Sequence, residues 1–322
     1  MGNKGFTRNR IFKNNLILLV ALISMAQFSF AQKQDSVTEF KPQGKLWGLT
    51  FGDYAYKAKN DTVGDGLGRG SNQYSKMPEN AKFFQFRRVY LGYNYDMLPN
   101  LSAEFLLAAE DEYYPGSIGN QSSTGDVLTN NKFAPYLKLA NIRWKNIFKG
   151  TDLVMGEMST PSFSMSSEPV WGYRSVERTV ADMQRTFSFD QGAALQGHYN
   201  TKNGKTSYGY NFMVGNGNAS KAENDLFPWF YADVWAKFFD KKLIVDIYND
   251  YTKIDWNTAN DTNTDVYHHD RRMTKLFVAY TVPKFTVGAE VFSNTLMGDV
   301  TAYAIVNGVN KTYYRTTVAT SF

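Results

Sequence analysis

The feature of this sequence that most constrains its fold is an alternation of apolar and polar residues with period 2. It recurs in segments of about ten residues from residue 42 onward. In the segment 84–96, FQFRRVYLGYNYD, Val89 and Leu91 fall on one face of the predicted strand, and Arg88 and Tyr90 fall on the other. The next segment, 101–110, again has one apolar face and one mixed face. The pattern predicts β-strands throughout, although a soluble sandwich and a membrane barrel would show the same two faces.

The connections between these segments distinguish the two architectures. Tight turns follow residues 95, 145, 200, 239 and 281. Long polar connections cover 57–82, 111–133, 159–188, 216–227, 252–271 and 293–312. Short turns at one end and long loops at the other are typical of outer-membrane barrels, whereas a Greek-key sandwich does not sort its loops in this way. We therefore predict an all-β fold, a transmembrane antiparallel up-and-down β-barrel.

Twelve strands can be placed on the sequence. Their predicted ranges are about 44–56, 83–95, 101–110, 134–145, 151–159, 189–199, 206–215, 229–238, 243–251, 272–281, 285–292 and 313–322. An even number puts both termini in the periplasm, and closure of the barrel leaves no unpaired backbone groups in lipid. The last residue, Phe322, matches the terminal aromatic that barrel-assembly machinery recognises.

The N-terminal residues predict export. Four basic residues and no acidic one precede an apolar run at 16–26, and small residues stand at the −3 and −1 positions, Ser29 and Ala31. About 11 apolar residues are too few for the ~20 of a spanning helix, so a cleaved signal peptide is favoured over an anchor. The predicted organisation is a signal peptide at 1–31 and one barrel domain at 32–322, located in the outer membrane.

Charge and cysteine content exclude several classes of function. The chain has 35 Lys and Arg against 30 Asp and Glu, and without the four bases of the leader the balance is 31 to 30. The pI of about 9.0 therefore gives no reason to expect a nucleic-acid partner. The absence of cysteine excludes disulfides and a lipidated N-terminus. No Gly-rich phosphate motif follows a strand and opens a helix, and we expect no cofactor.

The third long connection differs from an ordinary surface loop. It is rich in aromatic and charged residues, and Trp171 and Tyr173 need a surface on which to pack. We predict that this loop, about 159–188, folds into the barrel and narrows the pore; the alternative is a lid over the rim. The predicted constriction residues are Glu168, Arg174, Glu177, Arg178 and Arg185.

The mixed faces of the strands supply a predicted pore wall. Its candidate residues are Arg88, Glu104, Arg143, Asp190, Lys237, Asp246 and Lys275. With Glu110, Asp233, Asp250 and Glu290 included, four bases face seven acids. An anion filter needs rings of Arg or Lys, so phosphate selectivity does not follow from these charges. A solvated lumen with no particular selectivity is the alternative.

An ordered set of short motifs resembles a known family. The motifs are RRVYLG at 87–92, PNL at 99–101, GEMSTP at 156–161, RSVER at 174–178, DQG at 190–192 and GNG at 215–217. The set resembles the phosphate-selective porin O and P family, in the broad sense that covers many Bacteroidetes-type porins. The resemblance implies an infolded third loop, selection by size and charge, some preference for anions, and often a homotrimer. Two features depart from the family. The family barrel has about 16 strands, so this chain is either a shorter relative or a truncated sequence. Ser159 stands where the family often has a base.

The expected function is that of an outer-membrane porin for passive diffusion of small hydrophilic solutes or ions, in contact with membrane lipid and lipopolysaccharide. A plugged structural or binding barrel at the cell surface is the alternative, and a barrel hydrolase is a weaker one. Only three histidines are present: His198 has no adjacent serine, and His268 and His269 fall in a predicted polar loop. An exposed pair of this kind is more often solvated than metal-bound, so we expect neither an enzyme nor a metal site.

Overall fold

The computed structural model describes residues 40–59, 79–110, 135–176, 179–183, 187–223, 227–256, 267–306 and 309–321. The predicted leader and most of the first two long connections lie outside these ranges. Every described strand and helix lies in one compact unit, 42–322.

The described strands form one antiparallel sheet in chain order. They are β1 Gln43–Tyr56, β2 Lys82–Leu98, β3 Leu101–Glu110, β4 Tyr136–Phe148, β5 Thr151–Ser159, β6 Phe189–Asn200, β7 Ser207–Gly215, β8 Trp229–Phe238, β9 Leu243–Trp256, β10 Tyr267–Val282, β11 Phe285–Val306 and β12 Val309–Ser321. Each strand pairs with the next, from β1 to β12. This up-and-down wall of twelve strands confirms the predicted fold class; among the described residues, no ladder joins β12 to β1.

The described residues between β5 and β6 include two short helices. They are α1 Ser167–Trp171 and α2 Val180–Met183. In the part of the chain that the structure describes, no helix has the length and apolarity needed to cross a membrane.

Two predicted loops are wrong in their extent. The loop predicted at 293–312 is instead the upper part of β11 and β12, joined through residues 307–308. The polar residues Ser293 and Asn294 favoured a loop in the sequence, but they pair with Thr320 and Ala319. A strand that extends beyond the bilayer has water around its side chains, so polar residues there carry no free-energy penalty. Its backbone groups are satisfied by pairing with the neighbouring strand. This explains the difference.

The same reasoning applies to the predicted loop 252–271. Strand β9 continues to Trp256, and β10 begins at Tyr267. His268 and His269 therefore belong to β10, where they pair with Asp255 and Ile254, and not to a loop as predicted.

The outward face of the sheet is apolar and exposed. Large apolar side chains at its centre are each 41% to 49% exposed: Val89, Leu91, Tyr93, Phe105, Ile142, Phe212, Val234, Ile247 and Leu276. The inward neighbours of Phe105 and Phe212, which are Leu106 and Met213, are buried. An apolar exterior over a charged interior is the arrangement that lipid surroundings require. The residues that the sequence assigns to the two faces of β2 and β3 lie on those faces in the structure.

Two β-bulges turn extra bases toward the interior. The register of β1 and β2 shifts between Phe51 and Gly52, which leaves Arg87 without an opposite residue. The register of β3 and β4 shifts between Leu106 and Leu107, which leaves Lys138 without an opposite residue. Both side chains are buried. A bulge puts two successive side chains on one face, so that Arg87 joins Arg88 on the inward face.

Candidate functional site

The residues between β5 and β6 form the candidate site, and we call residues 160–188 the inner segment. Its two ends are held together by backbone and hydroxyl groups. The Thr160 N–H donates to the Ser188 carbonyl at 3.1 Å, and the Ser164 hydroxyl donates to the carbonyls of Thr160 at 2.6 Å and Ser188 at 2.8 Å. Thr160 and Ser162 are fully buried. The neck of the inner segment is therefore fixed between the two strands it joins.

Apolar side chains hold the inner segment to the inside of the sheet. Phe163 is fully buried in a cluster with Val154 and Met213 of the wall. Farther along, Val170 packs against a cluster of Ile244, Phe277 and Ala279. Ile244 is near the start of β9 and Ala279 near the end of β10. Val170 thus lies toward the end of the barrel that carries the short turns.

A buried charge cluster holds both helices to strands β10 and β11. The Lys275 ammonium donates to the Ser166 hydroxyl at 2.8 Å. It lies 3.3 Å from an Asp246 oxygen and 4.0 Å from Glu290 Oε2. Glu290 Oε1 accepts the Ala181 N–H at 2.8 Å. We call Lys275, Asp246, Glu290 and Ser166 the Lys275 cluster.

On strand β2 a base holds a later part of the same segment. Arg87 Nη1 donates to the carbonyls of Ser175 at 2.6 Å and Val176 at 3.1 Å, and lies 3.6 Å from Asp53. Between Val170 and Ser175 the inner segment therefore passes from β10 to β2. The sheet curls around it, as a barrel wall around an infolded loop.

Arg174 is the centre of a second ion-pair network. Its Nη1 lies 2.6 Å from Glu168 Oε2 and 2.6 Å from Asp182 Oδ2, with all three side chains largely buried. Burial raises the pKa of Glu168, and Asp182 raises it further, while Arg174, Arg88 and Lys138 act in the opposite direction. Both signs of charge therefore meet at one point of the lumen.

Of the five predicted constriction residues, the structure brings two together. Glu168 and Arg174 form the ion pair just described. Glu177, Arg178 and Arg185 lie outside the described residues. The role of all five in solute passage remains a prediction.

Four predicted wall residues are inward and half-buried. Arg88 donates to the Tyr90 hydroxyl at 2.7 Å, and Glu104 accepts from the Asn141 amide at 3.2 Å. Arg143 pairs with Asp152 at 3.0 Å. Lys237 Nζ lies 5.7 Å from the centre of the Trp235 ring.

The other three predicted wall residues contact protein and not solvent. Asp190, Asp246 and Lys275 are each 0% exposed. Asp190 accepts the Gly217 N–H at 2.7 Å and the Tyr231 hydroxyl at 2.8 Å, so that it fixes the turn after β7. Asp246 and Lys275 lie beneath the inner segment. In the described part of the chain, no group of three His, Asp or Glu side chains is arranged to hold a metal ion.

At the two bulges, sequence reasoning missed the inward bases Arg87 and Lys138. Strict alternation places both on the lipid face, because Arg87 is next to Arg88 and Lys138 is five residues before Arg143, and Arg88 and Arg143 are assigned to the lumen. A base on the lipid face near the middle of the bilayer costs about 2–4 kcal/mol. That cost is the signal that could have revealed a bulge at each position.

Comparisons with known proteins identify no family for this chain. No family model matches it, and no curated protein matches it. A solved structure of Salmonella typhi OmpF in complex with daunomycin is similar, with 10% sequence identity and a TM-score of 0.36, over 84% of this chain and 82% of that one. A likeness of this size carries no argument about function. The resemblance to the phosphate-selective porins therefore remains a prediction.

Proposed function

We propose that this protein is an outer-membrane porin through which small hydrophilic solutes or ions diffuse passively. The observation that carries the proposal is the inner segment itself, which lies inside a sheet with an apolar outward face and a charged inward face. A loop that crosses the lumen and is fixed to β2, β10 and β11 has the geometry of a constriction. Channels select solutes at constrictions of this kind.

The path that we propose lies along strands β1 to β4. On β9 and β10 the inward side chains are buried, whereas Trp47 and Glu104 on the opposite part of the wall are half-exposed. The Trp47 indole N–H donates to the Asn94 side chain at 3.3 Å. The exposed side of the inner segment and this part of the wall would then line the water-filled space.

The charges along this path favour weak selectivity. Arg143 pairs with Asp152 at 3.0 Å and Lys145 with Asp96 at 2.7 Å, so that neighbouring charges largely cancel. We therefore propose a general channel and not a strongly anion-selective one.

A plugged barrel that serves adhesion or a partner complex is the second candidate. It is favoured by the complete burial of Lys275 and Asp246, because the inner segment fills the lumen along at least this part of the wall. The two candidates differ in whether any open path remains beside the inner segment.

Further parts of the proposal concern location and assembly. We propose that the leader is cleaved, that the barrel contacts lipid and lipopolysaccharide, and that the protein forms a homotrimer, as the family resemblance implies. We also propose that it is not an enzyme.

Single-channel recording in planar lipid bilayers tests the proposed function. Purified protein should give discrete conductance steps in KCl, whereas a plugged barrel should give none. In a salt gradient, Arg174→Gln should shift the zero-current potential toward cations, because it removes a positive charge from a confined space. Lys57→Gln, which removes the same charge just beyond β1, is the matched control and should have little effect. Equal behaviour of the two variants would contradict the role of the inner segment as a constriction.

A further inference from the structure

Two aromatic side chains of the inner segment remain exposed although the segment lies inside the barrel. Trp171 is 42% exposed and Tyr173 is 61% exposed. Their ring centres are 5.6 Å apart, in an edge-on arrangement. In the same segment Phe163 is fully buried, so the segment does have apolar surface on which it buries an aromatic ring. Large aromatic side chains that stay exposed at a fixed position often mark a binding surface.

The local backbone fixes the direction of this aromatic pair. Helix α1 ends at Trp171, and Gly172 adopts a left-handed conformation with φ of 66°. Its N–H donates to the Glu168 carbonyl at 3.1 Å. Glycine suits this position because a side chain would be strained there. The chain thus turns sharply between the two rings.

Contacts on both sides of the pair hold it in place. Before it, Ser166 accepts from Lys275, and Val170 packs on the wall. After it, the Ser175 carbonyl accepts from Arg87 at 2.6 Å. A site held in this way binds with little loss of conformational entropy.

Charged groups of both signs are close to the two aromatic residues along the chain. Glu168 is three residues before Trp171 on α1, a spacing that puts side chains on the same side of a helix. Arg174 follows Tyr173 and joins Glu168 and Asp182 in the ion-pair network. Carboxylate and guanidinium groups are strong, directional acceptors and donors of hydrogen bonds.

We infer that Trp171, Tyr173 and the adjacent Glu168–Arg174 pair form a binding site for a neutral saccharide ring. A sugar ring has an apolar face of C–H groups, which stacks on an aromatic ring, and a polar edge of hydroxyls, which both accept and donate hydrogen bonds. The aromatic pair matches the face, and the ion pair matches the edge. An anionic or cationic solute fits less well, because it would meet a charge of its own sign in the same network.

This inference rests on the proposed function, since a solute meets the aromatic pair only by passing the inner segment. The test uses maltotriose as the probe and sorbitol as its control, because sorbitol has similar hydroxyls but no ring face. In planar bilayers, maltotriose should reduce the KCl current through the parent protein in a saturable way, and sorbitol should not. Trp171→Ala should weaken the effect of maltotriose about tenfold, which corresponds to about 1.4 kcal/mol, near the upper end of what an aromatic contact contributes.

Two further variants separate stacking from other effects. Trp171→Phe keeps a smaller ring and should weaken the effect less than Trp171→Ala. Val176→Ala removes an apolar group of the same segment that is 64% exposed but has no aromatic face, and it should leave the effect of maltotriose unchanged. Equal losses in Trp171→Ala and Val176→Ala would overturn the stacking site, because they would show that only the packing of the segment matters.

The failure of the inference and that of the proposed function are distinguishable. A parent protein that conducts KCl but does not respond to maltotriose overturns the inference and leaves the channel in place. A parent protein that does not conduct overturns the channel. In that case, tryptophan fluorescence in detergent decides on the site: the difference between the parent and Trp171→Phe spectra should change with maltotriose and not with sorbitol, and an unchanged difference overturns the inference.

Discussion

Replacement of Lys275 by methionine should strongly destabilise the barrel. The Lys275 side chain is 0% exposed, as is that of Asp246, which lies 3.3 Å away. Methionine has a similar length and fills the same space, but it leaves Asp246 and Glu290 buried beside an apolar group. Removal of one partner of a buried ion pair costs about 3–5 kcal/mol, because the remaining charge is uncompensated. We expect a loss of this size in the free energy of unfolding.

A second substitution, at Asp246, tests whether the unpaired charge causes the loss of stability. Asp246→Asn removes the carboxylate that Lys275→Met leaves unpaired. The double variant should therefore be more stable than the sum of the two single losses predicts, by about 0.5–3 kcal/mol, as expected for residues in direct contact. A strictly additive double variant would show that the two side chains do not interact.

The assay is reversible unfolding in detergent, followed by the loss of β-sheet signal in circular dichroism. Lys237→Met is the matched control, since Lys237 also faces inward but is half-exposed, with its ammonium 5.7 Å from the Trp235 ring. A cation–π contact at an exposed site contributes about 0.5–1 kcal/mol, so the control should lose far less. If Lys275→Met and Lys237→Met unfold alike, the inner segment does not cover Lys275, and the reasoning is refuted.

Three other predictions concern export, register and pH. Membrane-extracted protein should begin at or near Gln32; a start at Met1 or Gly2 would contradict the predicted leader. Leu107→Arg, on the lipid face of β3, should weaken folding into vesicles by about 2–4 kcal/mol, whereas Glu104→Arg, on the lumen face, should be tolerated, and equal losses would contradict the register. Because the pKa of Glu168 is raised above its ordinary value of 4.5, acidification should neutralise this residue earlier than an ordinary glutamate and shift the zero-current potential toward anions. This shift of the zero-current potential should be absent in Glu168→Gln. A shift that persists in this variant would exclude Glu168 as its source.

Much of the wall could be predicted from the sequence, because alternation and tight turns are local signals. Strands β3 and β5 have the predicted bounds, 101–110 and 151–159. The upper half of the β11–β12 hairpin could not be predicted in the same way. Its polar residues lose the alternation that lipid imposes, and only pairing with the neighbouring strand keeps them extended.

The bulges and the burial of charges could not be predicted for a different reason. The contact between Ser166 and Lys275 joins residues 109 positions apart, and nothing near either residue in the sequence marks it. Alternation assigns Lys275 correctly to the inward face, but it does not distinguish a side chain in the water of the lumen from one beneath the inner segment. That distinction depends on where the inner segment lies.

This distinction changes the electrostatics inferred for the lumen. The sequence places seven acids against four bases on the inward faces, but four of those acids are at most 2% exposed: Asp190, Asp233, Asp246 and Asp250. They hold turns, strands and the inner segment, and a solute does not meet them. Among the inward bases on β4, Arg143 and Lys145 each pair with an aspartate. In the inner segment, Arg174 lies between two acids. Because paired charges largely cancel at a distance, we expect size and the exposed aromatic pair to govern passage through the proposed channel more than net charge does.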